Sequence, residues 1–236
     1  MEQNNIPAVT RMQMVEIDRL MVEEYGITLL QMMENAGRDL AQLSHQLLGG
    51  TVRGKRISVL CGGGNNGGGG MAAARNLANW GADIQVALAV PTVKLKDTPA
   101  HQMRALRAMG VNISDGFPSG SFDLMIDALI GYGLRGAPRG KTARWIQKAN
   151  RGSVPILSLD IPSGLDADNG SPLGDCIRAD ATLTLALPKV GMREDGASEY
   201  LGELYVGDIS VPNRLLQAIG IEVVDLFTSS PIVKVS

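Results

Sequence analysis

A short β-branched and apolar run, Arg56–Cys61, leads into an unbroken stretch of glycine and asparagine over residues 62–70, and then into the helix-compatible residues 71–80. Buried strand, tight turn and returning helix are the opening half of a βαβ unit. The pattern continues along the chain. Residues 83–90, 123–129, 154–160 and 181–187 read as further strands, and residues 99–109 and 142–150 as helices between them. Residues 200–209 alternate like a late strand, 212–218 suit a last short helix, and 220–236 an edge strand plus tail. Such alternation predicts right-handed crossovers and an α/β fold whose mainly parallel sheet is covered on both faces.

Residues 1–50 read as a helical N-terminal extension packed on that sheet. Met14, Ile17, Leu20 and Met21 recur at helical spacing and Gly26 ends the segment. Thr28 is placed to cap a second helix carrying Leu29, Leu30, Met33, Ala36, Leu40 and Leu43, which stops at Gly49 and Gly50. A length of 236 residues suits one domain, 1–236.

Composition excludes several partners. The formal net charge is −2, no long basic run occurs and aromatic residues are 4%, so no nucleic acid is expected. No stretch approaches the roughly 20 apolar residues that cross a bilayer, and the polar start lacks a secretory pattern. Cys61 and Cys176 show no metal spacing with each other or with His45 and His101. A cytoplasmic protein with reduced thiols is expected.

Residues 62–67 satisfy GxGxxG between a strand and a helix, a setting in which backbone amides and the helix N-terminus can meet an anion. The dinucleotide fingerprint also needs an acid at the tip of the second strand. Here that strand ends Leu88-Ala89-Val90-Pro91. No Lys-Ser/Thr follows the glycines either. An ordinary dehydrogenase and a P-loop nucleotidase are both disfavoured, while Asn65 and Asn66 add side-chain oxygens suited to a polar ligand or hard cation.

Ligands of open parallel sheets bind beyond the carboxyl ends of the strands. Asp127 and Asp160 both fall near such ends, where burial is costly unless the acid is paired, metal-bound or protonated. Asp123, Asp166 and Asp168 lie in turn-like context. Arg135, Arg139 and Lys141 are placed either to clamp a phosphate or to solvate a loop.

Several blocks resemble the YjeF N-terminal domain family, which includes the NAD(P)H-hydrate epimerases. They are Met14-Val15-Glu16-Ile17-Asp18, Tyr25-Gly26-Ile27, Met33-Glu34-Asn35-Ala36-Gly37-Arg38, the glycine–asparagine run, Asp127-Ala128-Leu129-Ile130-Gly131 and Asp160-Ile161-Pro162-Ser163-Gly164. Pro188-Lys189-Val190-Gly191 matches more loosely. Gly63 stands where the family has proline, and Gly69 where it has aspartate.

The resemblance implies a Rossmann-like αβα sandwich, often dimeric, that epimerises hydrated NADH or NADPH. It implies a potassium ion held by Asn66, Asp127 and Ser163. It also implies substrate contacts from Asn65, Asn66, Gly67, Gly68 and Gly69, from the loop Gly131, Tyr132, Gly133, Leu134, Arg135, Gly136 and Ala137, and from Asp160. Asp160 is then the expected general acid and base. In many bacteria the family domain is fused to an ADP- or ATP-dependent dehydratase, for which these residues leave no room, and the resemblance leaves open a separate dehydratase as partner. A second reading stays open, in which Gly69 marks a module that kept the pocket for ligand sensing or protein interaction without turnover.

Overall fold

Two capping boxes start the chain's first helices. In α1 (Arg11–Glu23), Thr10 Oγ1 accepts the Gln13 N–H (3.2 Å) while Gln13 Oε1 accepts the Thr10 N–H (2.9 Å). Thr28 and Gln31 repeat the device at the head of α2 (Leu29–Leu47), which stops before Gly49 and Gly50, both at φ +82°. The computed structural model describes residues 6–222 and 226–235. Parts of the expected N-terminal extension and C-terminal tail lie outside these.

Among the described residues there is one 8-stranded sheet. Its strands are β1 (Arg56–Cys61), β2 (Asp83–Leu88), β3 (Asn112–Ser114), β4 (Leu124–Ala128), β5 (Ile156–Leu159), β6 (Ala181–Leu185), β7 (Glu203–Gly207) and β8 (Ile232–Lys234). They lie in the order β3-β2-β1-β4-β5-β6-β7-β8, parallel except for the last pair. The chain winds outward from β1 and returns to β4, so the topological switch point lies between these two strands.

The faces are covered as the apolar pattern requires. Leu40 and Leu43 of α2, Met71 and Leu77 of α3 (Asn65–Asn79) and Leu106 of α4 (Asp97–Ala108) share a core with Val59 and Ile126 of the sheet. On the other face Trp145, Ile146 and Ala149 of α5 (Gly140–Arg151) pack on Leu60, Met125 and Ile156. Met14, Ile17 and Met21 of α1 meet Leu215 and Leu216 of α7 (Asn213–Ala218). The chain start is stitched to the loop after β6, because Val9 N–H donates to Pro188 O and Val190 N–H to Val9 O, both at 2.9 Å.

Two expectations are corrected, and one strand adds to the expected set. Residues 62–70 are not a loop, because α3 already begins at Asn65 and only Gly62–Gly64 connect it to β1. Glycine opposes a helix interior by about 1 kcal/mol per residue, but here close packing outweighs propensity. A Cβ on Gly70 would sit 2.5 Å from Ala128 Cβ, and one on Gly68 would press on Met33 Sδ and Pro99. Residues 200–209 are not one strand. A helical turn, α6 (Ser198–Leu201), and Gly202 at φ +59° precede β7. The short β3 was not expected at all, since Asn112–Ser114 offers one apolar residue to a sheet edge.

Candidate active site

Gly62 lets the switch point close tightly. Its N–H donates to Ala128 O (3.0 Å), and a side chain there would collide with the Leu129 carbonyl. Gly67 in turn packs on the Gly62 backbone. The start of α3 is thereby aimed between the ends of β1 and β4, where its first N–H groups have no intrahelical partners. Gly64, Asn65 and Asn66 at this start line a cavity of about 440 Å³, within the usual range for small-molecule sites.

Asn65, Asn66 and Gly69 of α3 line this cavity, as do Gly131, Tyr132, Gly133 and Arg135 after β4. Gly67 and Gly68 face the packing contacts described above, and Leu134, Gly136 and Ala137 lie outside the lining. Lys141 is turned away as well, with Nζ donating to Leu88 O (3.1 Å) and lying over the Trp145 ring. Arg11 and Lys96 join Arg135 in the lining, and the sequence reading missed both. Three cations on the wall of one cavity suit a phosphorylated ligand.

Asp160 stands at the tip of β5 and is 3% exposed. Its φ of +69° places a non-glycine residue in the left-handed region, a conformation that surrounding structure must hold. The Asp160 N–H donates to Leu183 O (2.7 Å), Tyr132 N–H donates to Asp160 Oδ2 (2.8 Å), and Lys189 Nζ donates to Oδ1. Lys189 is fully buried and also donates to Thr184 Oγ1 (3.0 Å) and Leu185 O (3.1 Å).

Lys189 and Asp18 are two further groups to which the sequence assigns no role. Both had a signal. Lys189 interrupts an apolar run, and Asp18 falls on the buried face of α1, four residues after Met14. The Asp18 carboxyl accepts the Tyr132 phenol O–H and lines the cavity. Burial pushes Asp18 above the usual carboxylate range, with the phenol hydrogen bond opposing. The Tyr132 phenol is raised by burial first and by the Asp18 charge second.

Beside the cavity, Asp127 is wholly buried. Oδ2 accepts from Ser158 Oγ (2.9 Å) and Ser163 N–H (2.8 Å), and Oδ1 from Ser163 Oγ (2.6 Å) and Leu129 N–H (3.2 Å). Burial raises its pKa against all four hydrogen bonds. No cationic side chain pairs with it among the described residues. Asn66 Nδ2, of a side chain packed beside Gly131, is buried without a hydrogen-bond partner. A flipped amide would offer its oxygen instead. One buried carboxylate with neutral oxygens around it suits a monovalent cation by charge.

The turn acids behave as expected. Asp166 Oδ1 accepts from the N–H groups of Asp168 and Asn169, and Asp123 Oδ2 from that of Arg56.

The chain is 43% identical over 219 residues to an NAD(P)H-hydrate epimerase of Dehalogenimonas lykanthroporepellens, covering 92% of this chain and 87% of that one. It is 34% identical to an NAD(P)H-hydrate epimerase of Rhodopirellula baltica, covering 90% and 88%. A bifunctional NAD(P)H-hydrate repair enzyme of Moorella thermoacetica is also 34% identical, and the match spans 41% of its length. The crystal structure of yeast ynu0 shares the fold, with a TM-score of 0.83 and 24% identity over 97% of this chain and all of that one. The family described as YjeF-related protein N-terminus matches residues 29–191, a span holding the α3 start, Asp127, Asp160 and Lys189, and to that family this chain belongs.

Proposed function

We propose that this chain interconverts the R and S forms of hydrated NADH and NADPH. The observation that carries this reading is Asp160, a buried carboxyl fixed by Tyr132 and Lys189 on the wall of a cavity large enough for the hydrated ring. In the hydrate, a hydroxyl sits on the ring carbon beside nitrogen. The nitrogen lone pair expels it once a proton is supplied, and water returning to the other face gives the second epimer. Asp160 exchanges that proton, and Lys189 stabilises the carboxylate it leaves. Arg11, Lys96 and Arg135 meet the phosphates. The reaction is an isomerisation and consumes no nicotinamide cofactor.

Asn66, Asp127 and Ser163 would hold a potassium ion, which when bound would neutralise Asp127 and fix the loops after β4 and β5. Relatives described as bifunctional NAD(P)H-hydrate repair enzymes suggest that a dehydratase activity takes up one of the epimers.

The deciding experiment gives the purified chain the R form of hydrated NADH together with an S-specific dehydratase, its nucleotide and potassium. Consumption of the R form faster than the spontaneous rate, abolished in Asp160→Asn, is the expected result. No acceleration while the hydrate still raises the melting temperature would overturn the epimerase reading.

A further inference from the structure

We propose that Asp18 is a second proton-exchanging carboxyl, acting on the face of the hydrated ring opposite to the one Asp160 serves. The inference rests on the epimerase reading and specifies how inversion is achieved. Asp18 comes from α1 and Asp160 from the tip of β5, so two separate elements bring a carboxyl to the same cavity. Tyr132 holds both: its backbone N–H donates to Asp160 Oδ2 (2.8 Å), and its phenol O–H donates to Asp18 Oδ2. The two carboxyls are therefore held at opposite ends of one tyrosine residue, and paired carboxyls can serve opposite faces of a ring with a water between. Asp160 has protein donors on both oxygens, whereas Asp18 Oδ1 has none among the described residues and is left for a ligand.

Inversion at one carbon needs a C–O bond to break on one face and form on the other. A single carboxyl reaches one face. For one epimer, protonated Asp18 gives its proton to the departing hydroxyl, the nitrogen lone pair forms the C=N bond, and water leaves. A second water then attacks the opposite face of that carbon while Asp160 takes its proton, and the C=N pair returns to nitrogen. The other epimer runs the same steps with the roles exchanged. One water leaves, one is added, and the carbon keeps its oxidation level. Burial favours the protonated form of Asp18, the form from which this epimer's departing hydroxyl takes its proton.

The test supplies each epimer of hydrated NADH separately in ¹⁸O-labelled water, following inversion by chromatography and label uptake by mass spectrometry. In the wild-type chain every inversion carries label. Asp18→Asn is expected to slow inversion by about 100-fold or more, while one epimer still exchanges its hydroxyl with retention, because Asp160 can release and return water on its own face. Inversion within threefold of wild type overturns the proposal, and so does equal loss of inversion and exchange for both epimers. Asp18→Ser, read by the same outcomes, replaces a poorly folded Asp18→Asn. A wild-type chain that neither inverts nor exchanges marks failure of the epimerase reading itself, a result distinct from any of these.

Discussion

Lys189 and Asp160 lie 29 residues apart and form an ion pair in which neither side chain is more than 4% exposed. Removing one member of a buried pair leaves the other charge uncompensated, at a cost of about 3–5 kcal/mol. Lys189→Met should therefore lower stability by that order in urea denaturation and reduce epimerisation as well. Unchanged stability would mean that Asp160 finds another partner.

Gly69 lines the cavity at a position where the resemblance leads to an aspartate. A Cβ here meets Leu159 Cδ2 at 2.8 Å, the next neighbour being Ala36 Cβ at 4.0 Å. Gly69→Asp should consequently cost about 1–3 kcal/mol through overpacking, and Leu159→Val should recover most of it. Thermal melts of the single and double variants check this coupling, and additive effects would refute it.

Asp39 on α2 gives the fold a pH dependence. Its carboxyl is 4% exposed, Oδ2 has no hydrogen-bond partner, and burial together with the Asp208 charge raises its pKa from 3.8 to about 7. A raised carboxyl stabilises the folded chain fully below the ordinary value and loses that contribution as pH climbs through 7. Asp39→Asn should melt higher than wild type at pH 8, with the gap closing toward pH 4. A constant gap across this window would contradict the assignment.

Potassium is expected to raise the melting temperature, and the gain should vanish in Asp127→Asn. Sodium at equal ionic strength is the control, since a response common to both salts would reflect screening rather than a site.

Much of the architecture was legible because buried parallel strands are continuous apolar runs, as at Ile156–Leu159 and Ala181–Leu185. Asp127 and Asp160 could be found because acids at the ends of such runs need a reason. The start of α3 could not be read, since local propensity argues against a glycine helix and only the approach of α2, with Met33 against Gly68, makes one favourable. Lys189 was visible as a lysine among apolar residues, but its partner was not. The turn that folds Lys189 back under β5 is set by topology rather than by periodicity. Asp18 lies on the buried side of α1, but its contact with the Tyr132 phenol, 114 residues away, has no trace in the local pattern.

The backbone exchange between Val9 and the strand-like stretch at Lys189 gives the beginning of the chain leverage over a distant charge. A protease that nicks before Thr10, or an affinity tag spliced into those first residues, would loosen the segment on which the buried ammonium is mounted. Such a preparation would keep its sheet and its spectrum while turning over slowly, and the fault would be sought in the wrong half of the molecule.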